Sequence, residues 1–165
     1  MKTICLVRHA KSNWADAQTG DFDRSLNSRG EHTASLMAAM LKAMGVAADL
    51  VISSPANRAI STAELFCEIL DYPKEKIVRR MEIYEGRADQ ILAIIQEMAE
   101  SIETAVIFGH NPTITEFANL LSAAHMESME TCGMVRIDLE IAMWKDAAYG
   151  KGKKVWYEYP KRKTD

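Results

Sequence analysis

Three apolar runs, each stopping at polar and cationic residues, most constrain what this chain can fold into. Ile4-Cys5-Leu6-Val7 stops at Arg8-His9. Leu50-Val51-Ile52 stops at Ser53-Ser54-Pro55, with Arg58 close behind. Ala105-Val106-Ile107-Phe108 stops at Gly109-His110. Short continuous apolar runs bounded by polar residues read as buried strands. Strands apolar on both faces belong to parallel sheets covered by helices on each side. In such sheets ligands bind outside the carboxyl ends of the strands. If the three runs lie parallel, Arg8, His9, Arg58 and His110 converge on one sheet edge from distant parts of the sequence.

The segments between the runs have helical patterning. From Gly30 to Met44, Thr33, Leu36, Met37, Met40, Leu41 and Met44 recur at helical spacing, and Gly45 supplies the stop. After the second strand, about Leu50 to Ser53, Ser54 suits an N-cap and Pro55 a first helical position, in a helix reaching about Leu70. Arg58 then lies in a first turn, where the helix dipole disfavours a cation but favours an anion that the cation could hold. Lys76 to Arg79 reads as a short strand, Ile83 to Gly86 as ending in a turn, and Ala88, Ile91, Leu92, Ile95, Met98 and Ile102 as a further helix. Pro112 marks another helix start. His125 to Gly133 reads as loop. Met134–Leu139 and Lys154–Tyr159 read as strands of an antiparallel hairpin around the polar Asp146–Gly152. The polar stretch Lys11–Arg29 has turn character, with Trp14 expected to anchor it by packing. The expected architecture is one domain, 1–165, an α/β fold: a three-layer α/β/α sandwich with a mostly parallel central sheet and an antiparallel edge hairpin.

Composition narrows the function classes. A net charge of −3 over 165 residues argues against general affinity for nucleic acid, so positive potential at the site must be local. Cys5, Cys67 and Cys132 form neither a disulfide framework nor a zinc pattern and suit a reducing compartment. Cys5 and Cys67 read as core residues, and Cys132, in a loop-like stretch, as more exposed. With no leader or membrane-length apolar run, the expected location is cytoplasmic, with no membrane partner. The basic tail Lys161-Arg162-Lys163 reads as solvated.

Cations gathered at one sheet edge call for an anion, and phosphate fits best: arginine binds its oxygens in pairs and histidines add hydrogen bonds. Three roles compete for His9 and His110. Metal ligation is disfavoured, because carboxylates nearby in the motifs are sparse and two arginines repel a divalent cation. A structural role is disfavoured by the repeated strand-end placement. The third role is nucleophilic: a neutral imidazole nitrogen attacks phosphorus while the surrounding cations hold the equatorial oxygens.

These residues also carry a family resemblance. Leu6-Val7-Arg8-His9-Ala10 resembles the Arg-His-Gly signature of the histidine phosphatase (phosphoglycerate mutase-like) superfamily. Ser53-Ser54-Pro55-Ala56-Asn57-Arg58-Ala59 with Thr62-Ala63 resembles its second arginine motif, and Gly109-His110-Asn111-Pro112 its second histidine motif. Asp23 to Gly30 and the ending Tyr159-Pro160-Lys161 are similar to the small SixA-type phosphohistidine phosphatases. The resemblance implies that His9 is the phosphorylated nucleophile. It further implies that Arg8, Arg58 and His110 complete the phosphate pocket, and that no metal or organic cofactor is needed. Ser12, Thr113 and Thr131 are loop candidates for substrate contact. Glu85 resembles the acidic position from which some members protonate the leaving group; the bland alternative is a turn residue before Gly86. The implied partner is a phosphorylated protein or a small phosphorylated molecule. Ala10, Lys11 and Ala15 depart from the mutase-like pattern, which argues against a sugar-phosphate mutase. A different class, a phosphate- or phosphoprotein-binding module without turnover, is disfavoured because binding alone needs no nucleophile.

Overall fold

The computed structural model describes residues 1–14 and 17–161. Ala15, Asp16 and the tail from Arg162 onward lie outside the described residues, and with them the departure at Ala15 and most of the basic run. Helices and strands follow in the order β1 (Lys2–Arg8), α1 (Ser28–Ala43), β2 (Leu50–Ser53), α2 (Asn57–Leu70), β3 (Val78–Arg79), α3 (Met81–Glu85), α4 (Ala88–Gln96), β4 (Thr104–Gly109), α5 (Thr113–Ser122), β5 (Met134–Leu139) and β6 (Gly152–Glu158). The strands form one six-stranded sheet in the order β3-β2-β4-β1-β5-β6. β1, β2, β3 and β4 run parallel, while β5 is antiparallel to β1 and to β6. The expected sandwich with its edge hairpin is thus observed.

Side-chain alternation explains why the runs looked apolar throughout. Ile4 and Leu6 of β1, with Ala105 and Ile107 of β4, enter a core with α4 and α5 residues such as Ile91, Ile95, Phe117 and Leu121. Cys5 and Val7, with Val106 and Phe108, enter a second core with Met37 and Leu41 of α1 and Ala63 and Phe66 of α2. Neither face of these strands meets water, so no polar residue breaks the runs. Among the described residues no helix is long and apolar enough to cross a membrane.

Several local expectations are corrected. Ser54-Pro55 does not open α2; the helix starts at Asn57 with Ala56 as its N-cap, and the Ser54 hydroxyl is engaged elsewhere. The segment around Ile83 is a short helix rather than only a turn. α4 ends at Gln96, so Met98 and Ile102 pack from the connection to β4. Cys132 is fully buried in the second core, not exposed, because its loop is tied to the end of β1, its N–H donating to the His9 carbonyl at 3.0 Å. Trp14 is 89% exposed and does not anchor its loop. That loop is tied down by Arg24, whose Nε donates to the Asn13 carbonyl and whose Nη2 donates to Ser12 Oγ.

Candidate active site

Sheet register brings the site together. Arg8 pairs with Gly109 across β1 and β4, and Ser53 pairs with Phe108 across β2 and β4. The ladder continues one step further: the His9 N–H donates to the Gly109 carbonyl at 3.1 Å, and the Ser54 N–H to the Phe108 carbonyl at 3.0 Å. Strand pairing alone therefore sets His9, Ser54 and His110 side by side. The imidazole centroids of His9 and His110 stand 5.2 Å apart. A Cβ at Gly109 would come within 3.1 Å of Ile83 Cγ2, so α3 rests directly on this strand end. That contact carries Tyr84 to an edge-on packing with His110 at 5.6 Å.

The residues after His9 are pinned from two sides. The Ala10 N–H donates to Thr62 Oγ1 of α2 at 3.0 Å. Lys11 lies against the start of α1, where a Cβ at Gly30 would stand 2.0 Å from the Lys11 carbonyl oxygen. Only glycine lets the helix approach that backbone so closely. α1 itself begins at the Asn27 cap, whose side chain accepts from the Gly30 N–H at 2.8 Å.

His9 is nearly buried, and its Nδ1 lies 2.7 Å from the Ala10 carbonyl. A carbonyl can only accept, so Nδ1 carries the proton and in the neutral ring Nε2 holds the lone pair. Burial, followed by Arg58, Arg8 and Arg24, pulls the His9 pKa down to about 4, against the opposing bond to Ala10. Burial, then the nearby His9 and Arg58, pulls His110 to about 3. Both rings are neutral at neutral pH, the form a nitrogen nucleophile requires.

Each arginine is held by its terminal nitrogens. Arg8 Nη1 donates to the Met129 carbonyl at 2.8 Å, and Asn111 Nδ2 donates to the same carbonyl at 3.0 Å. Arg58 Nη1 donates to the Asp21 carbonyl at 2.6 Å and Nη2 to Asp21 Oδ2 at 3.1 Å. Their inner nitrogens are unengaged. Among the described residues, the buried side-chain nitrogens or oxygens with no hydrogen-bond partner are Arg8 Nε, Arg58 Nε and His110 Nδ1. Buried polar groups are paired as a rule, so orphaned ones call for an explanation. All three belong to residues singled out from the sequence for phosphate binding.

Ser12 plays an indirect part: its hydroxyl accepts from Arg24 at 2.8 Å. Glu85 ends α3 as an exposed side chain, and no hydrogen bond or ion pair ties it to the other site residues. Thr113 opens α5 and Thr131 lies in the loop before β5. Asp21, Arg24, Tyr84 and Ser54 were missed as site residues. Asp21 joins Arg24 and Tyr84 to Arg58, taking Arg24 Nη1 on Oδ1 at 3.0 Å and Arg58 Nη2 and the Tyr84 hydroxyl on Oδ2. The Tyr84 hydrogen bond, then those from Arg24 and Arg58, hold the Asp21 carboxyl well below the usual carboxylate range, so it stays ionised. Among the described residues, no three His, Cys, Asp or Glu side chains gather as metal ligands.

Residues 4–103, more than half the chain, match the model of the histidine phosphatase superfamily (branch 1). The chain belongs to this superfamily. A relative, an uncharacterized chloroplastic protein of Arabidopsis thaliana, is 28% identical over 163 residues, 94% of this chain and 74% of that one. Among solved structures, a protein of Agrobacterium tumefaciens assigned as the phosphohistidine phosphatase SixA superposes with a TM-score of 0.83 at 25% identity. The match covers 97% of this chain and 99% of that chain. The protein histidine phosphatase SixA complexed with tungstate superposes with a TM-score of 0.81 at 23% identity, over 94% and 95% of the two chains. The matched residues include Arg8, His9 and Arg58.

Proposed function

We propose that this histidine phosphatase superfamily member hydrolyses a phosphoryl group through a covalent phosphohistidine at His9, acting on protein phosphohistidine. The observation that carries this reading is the set of three buried side-chain nitrogens without a hydrogen-bond partner among the described residues, the donors Arg8 Nε and Arg58 Nε and the ring nitrogen His110 Nδ1, around a histidine whose lone pair is fixed on Nε2. A phosphoryl group supplies three equatorial oxygens for such donors. His9 Nε2 attacks phosphorus in line, the bond from phosphorus to the leaving nitrogen breaks, and the arginines hold the charge on the equatorial oxygens. Water then attacks the phosphohistidine, which releases inorganic phosphate and restores the His9 lone pair. A structural likeness to SixA proteins, one of them complexed with tungstate, supports the same choice of substrate class. Three unpaired cysteines suit a cytoplasmic setting.

The deciding experiment is trapping. Wild type and His9→Ala are incubated with a radiolabelled phosphohistidine protein and with an aryl phosphate, then quenched in alkali. Acid-labile label on wild type alone, with phosphate released, is the expected result. Phosphate binding without label or release would make the chain a binding module instead.

Glu85 is proposed as proton donor for ester substrates only. It ends α3 directly after Tyr84, which packs on His110. An alkoxide needs a proton to leave, whereas an imidazole needs one far less. Glu85→Gln is therefore expected to slow aryl or alkyl phosphate hydrolysis by about 10²-fold while sparing phosphohistidine. Equal rates with wild type on both substrates would remove Glu85 from the mechanism.

A further inference from the structure

We propose that Ser54 is a positioning residue that sets the tautomer of His110: its hydroxyl donates to Nε2 and so keeps the ring proton on Nδ1, the nitrogen that no protein group engages. The proposal deepens the reading of this pocket as a phosphoryl site and rests on it. Ser54 is fully buried, and its Oγ lies 2.7 Å from His110 Nε2. The backbone N–H of Ala56 donates to the same oxygen at 3.2 Å. The Ser54 N–H is bonded to Phe108, so the β2–β4 ladder places this hydroxyl beside His110.

A hydroxyl has one proton to give and two lone pairs with which to accept. The Ala56 N–H takes one lone pair, and two arrangements with His110 remain. If Nε2–H donates to Ser54, the Ser54 proton has no further acceptor among the described hydrogen bonds, and Nδ1 presents a lone pair where anionic oxygens bind. If Ser54 donates to Nε2 instead, the hydroxyl is satisfied and Nδ1–H becomes a third donor beside Arg8 Nε and Arg58 Nε. The second arrangement leaves no polar atom of Ser54 unpaired, as buried groups require. It also gives the phosphoryl oxygens a donor where the first gives a repulsion. Pro55, which lacks an N–H, and the delayed start of α2 at Asn57 keep Ser54 outside the helix, so its hydroxyl is not spent on capping.

The test reads the tautomer directly. The full chain is labelled with ¹⁵N-histidine, and long-range ¹H–¹⁵N correlations at pH 7 distinguish the protonated ring nitrogen from the bare one; the His110→Asn spectrum assigns the signals. Wild-type His110 is expected as the Nδ1–H tautomer. In Ser54→Ala it is expected to move wholly or partly to Nε2–H, with inorganic phosphate bound about tenfold more weakly. Ser54→Cys, similar in size and a weaker donor, is expected to fall between. A wild-type His110 protonated on Nε2, or a tautomer unmoved in a folded Ser54→Ala, would overturn the proposal. The wild-type spectrum decides even if the variant does not fold. An Nδ1–H tautomer in a chain that forms no phosphoenzyme overturns the phosphatase reading alone. Turnover with an Nε2–H His110 overturns only the role of Ser54.

Discussion

Arg8, His9 and His110 leave the ends of β1 and β4, where backbone hydrogen bonds on adjacent strands fix their positions. Arg24, Tyr84 and the outer face of Arg58 meet instead around the half-exposed carboxylate of Asp21. The first region takes its backbone positions from the sheet ladder. The second depends on side chains from three separate segments finding one another. Exposed ion pairs contribute little to stability. The Asp21 clasp is thus a device for aiming Arg58 rather than for holding the fold together.

This contrast can be broken most forcefully at the residue the two regions share. Arg58→Lys keeps a positive charge but removes the planar fork and the buried Nε–H. A fall of about 10²–10³-fold in kcat/KM is expected with both the phosphohistidine protein and the aryl phosphate, read by steady-state kinetics. A loss below tenfold would mean that charge alone suffices.

Acid sharpens the sheet-borne half. The folded pKa values of His9 and His110, about 4 and about 3, lie below the ordinary 6.5, with burial as the leading cause. Between those values the unfolded chain binds more protons than the folded one. The stabilising contribution of the two neutral rings is therefore present above about pH 6.5, shrinks as pH falls toward 4, and flattens below the folded values. Stepwise urea titrations of wild type against His9→Asn/His110→Asn should show this share of the pH dependence vanish in the double variant. Ring titration by NMR should find both imidazoles still mostly neutral at pH 5.

The smallest effects belong to the clasp. Asp21→Asn is expected to lower kcat/KM about fivefold at low salt and less at high salt, in keeping with a half-exposed ion pair. Tyr84→Phe should cost about twofold. If Asp21→Asn matched Arg58→Lys in size, Asp21 would act in the reaction itself and the division between the halves would fail.

The same division decides what could be read from the sequence. A strand covered on both faces must be apolar at every position, and its last residue is marked by the first polar side chain. That made Arg8, His9 and His110 legible, and the register did the rest. Arg58 was legible because a cation is out of place in a first helical turn. Asp21 had no such signal: among Gly20, Asp21 and Asp23 it looked like one more turn residue, and only the folded loop shows it facing α2 and α3. Ser54 was misread because Ser-Pro is a good helix opening, and nothing local to it reveals that β4 brings a histidine alongside. Trp14 misled in the opposite direction, since an aromatic in a polar loop suggests packing and here finds none.

One hydroxyl joins the two elements that matter most. Thr62 Oγ1 accepts the Ala10 N–H and donates to the Arg58 carbonyl at 2.8 Å. The turn that follows His9 is thereby hung on the helix that carries Arg58. If the first turns of α2 fray, the Ala10 amide loses its protection with them, and amide exchange at the two sites should share a single opening event. Fraying of α2 thus loosens the turn after His9 together with Arg58, while the β1–β4 ladder keeps its register.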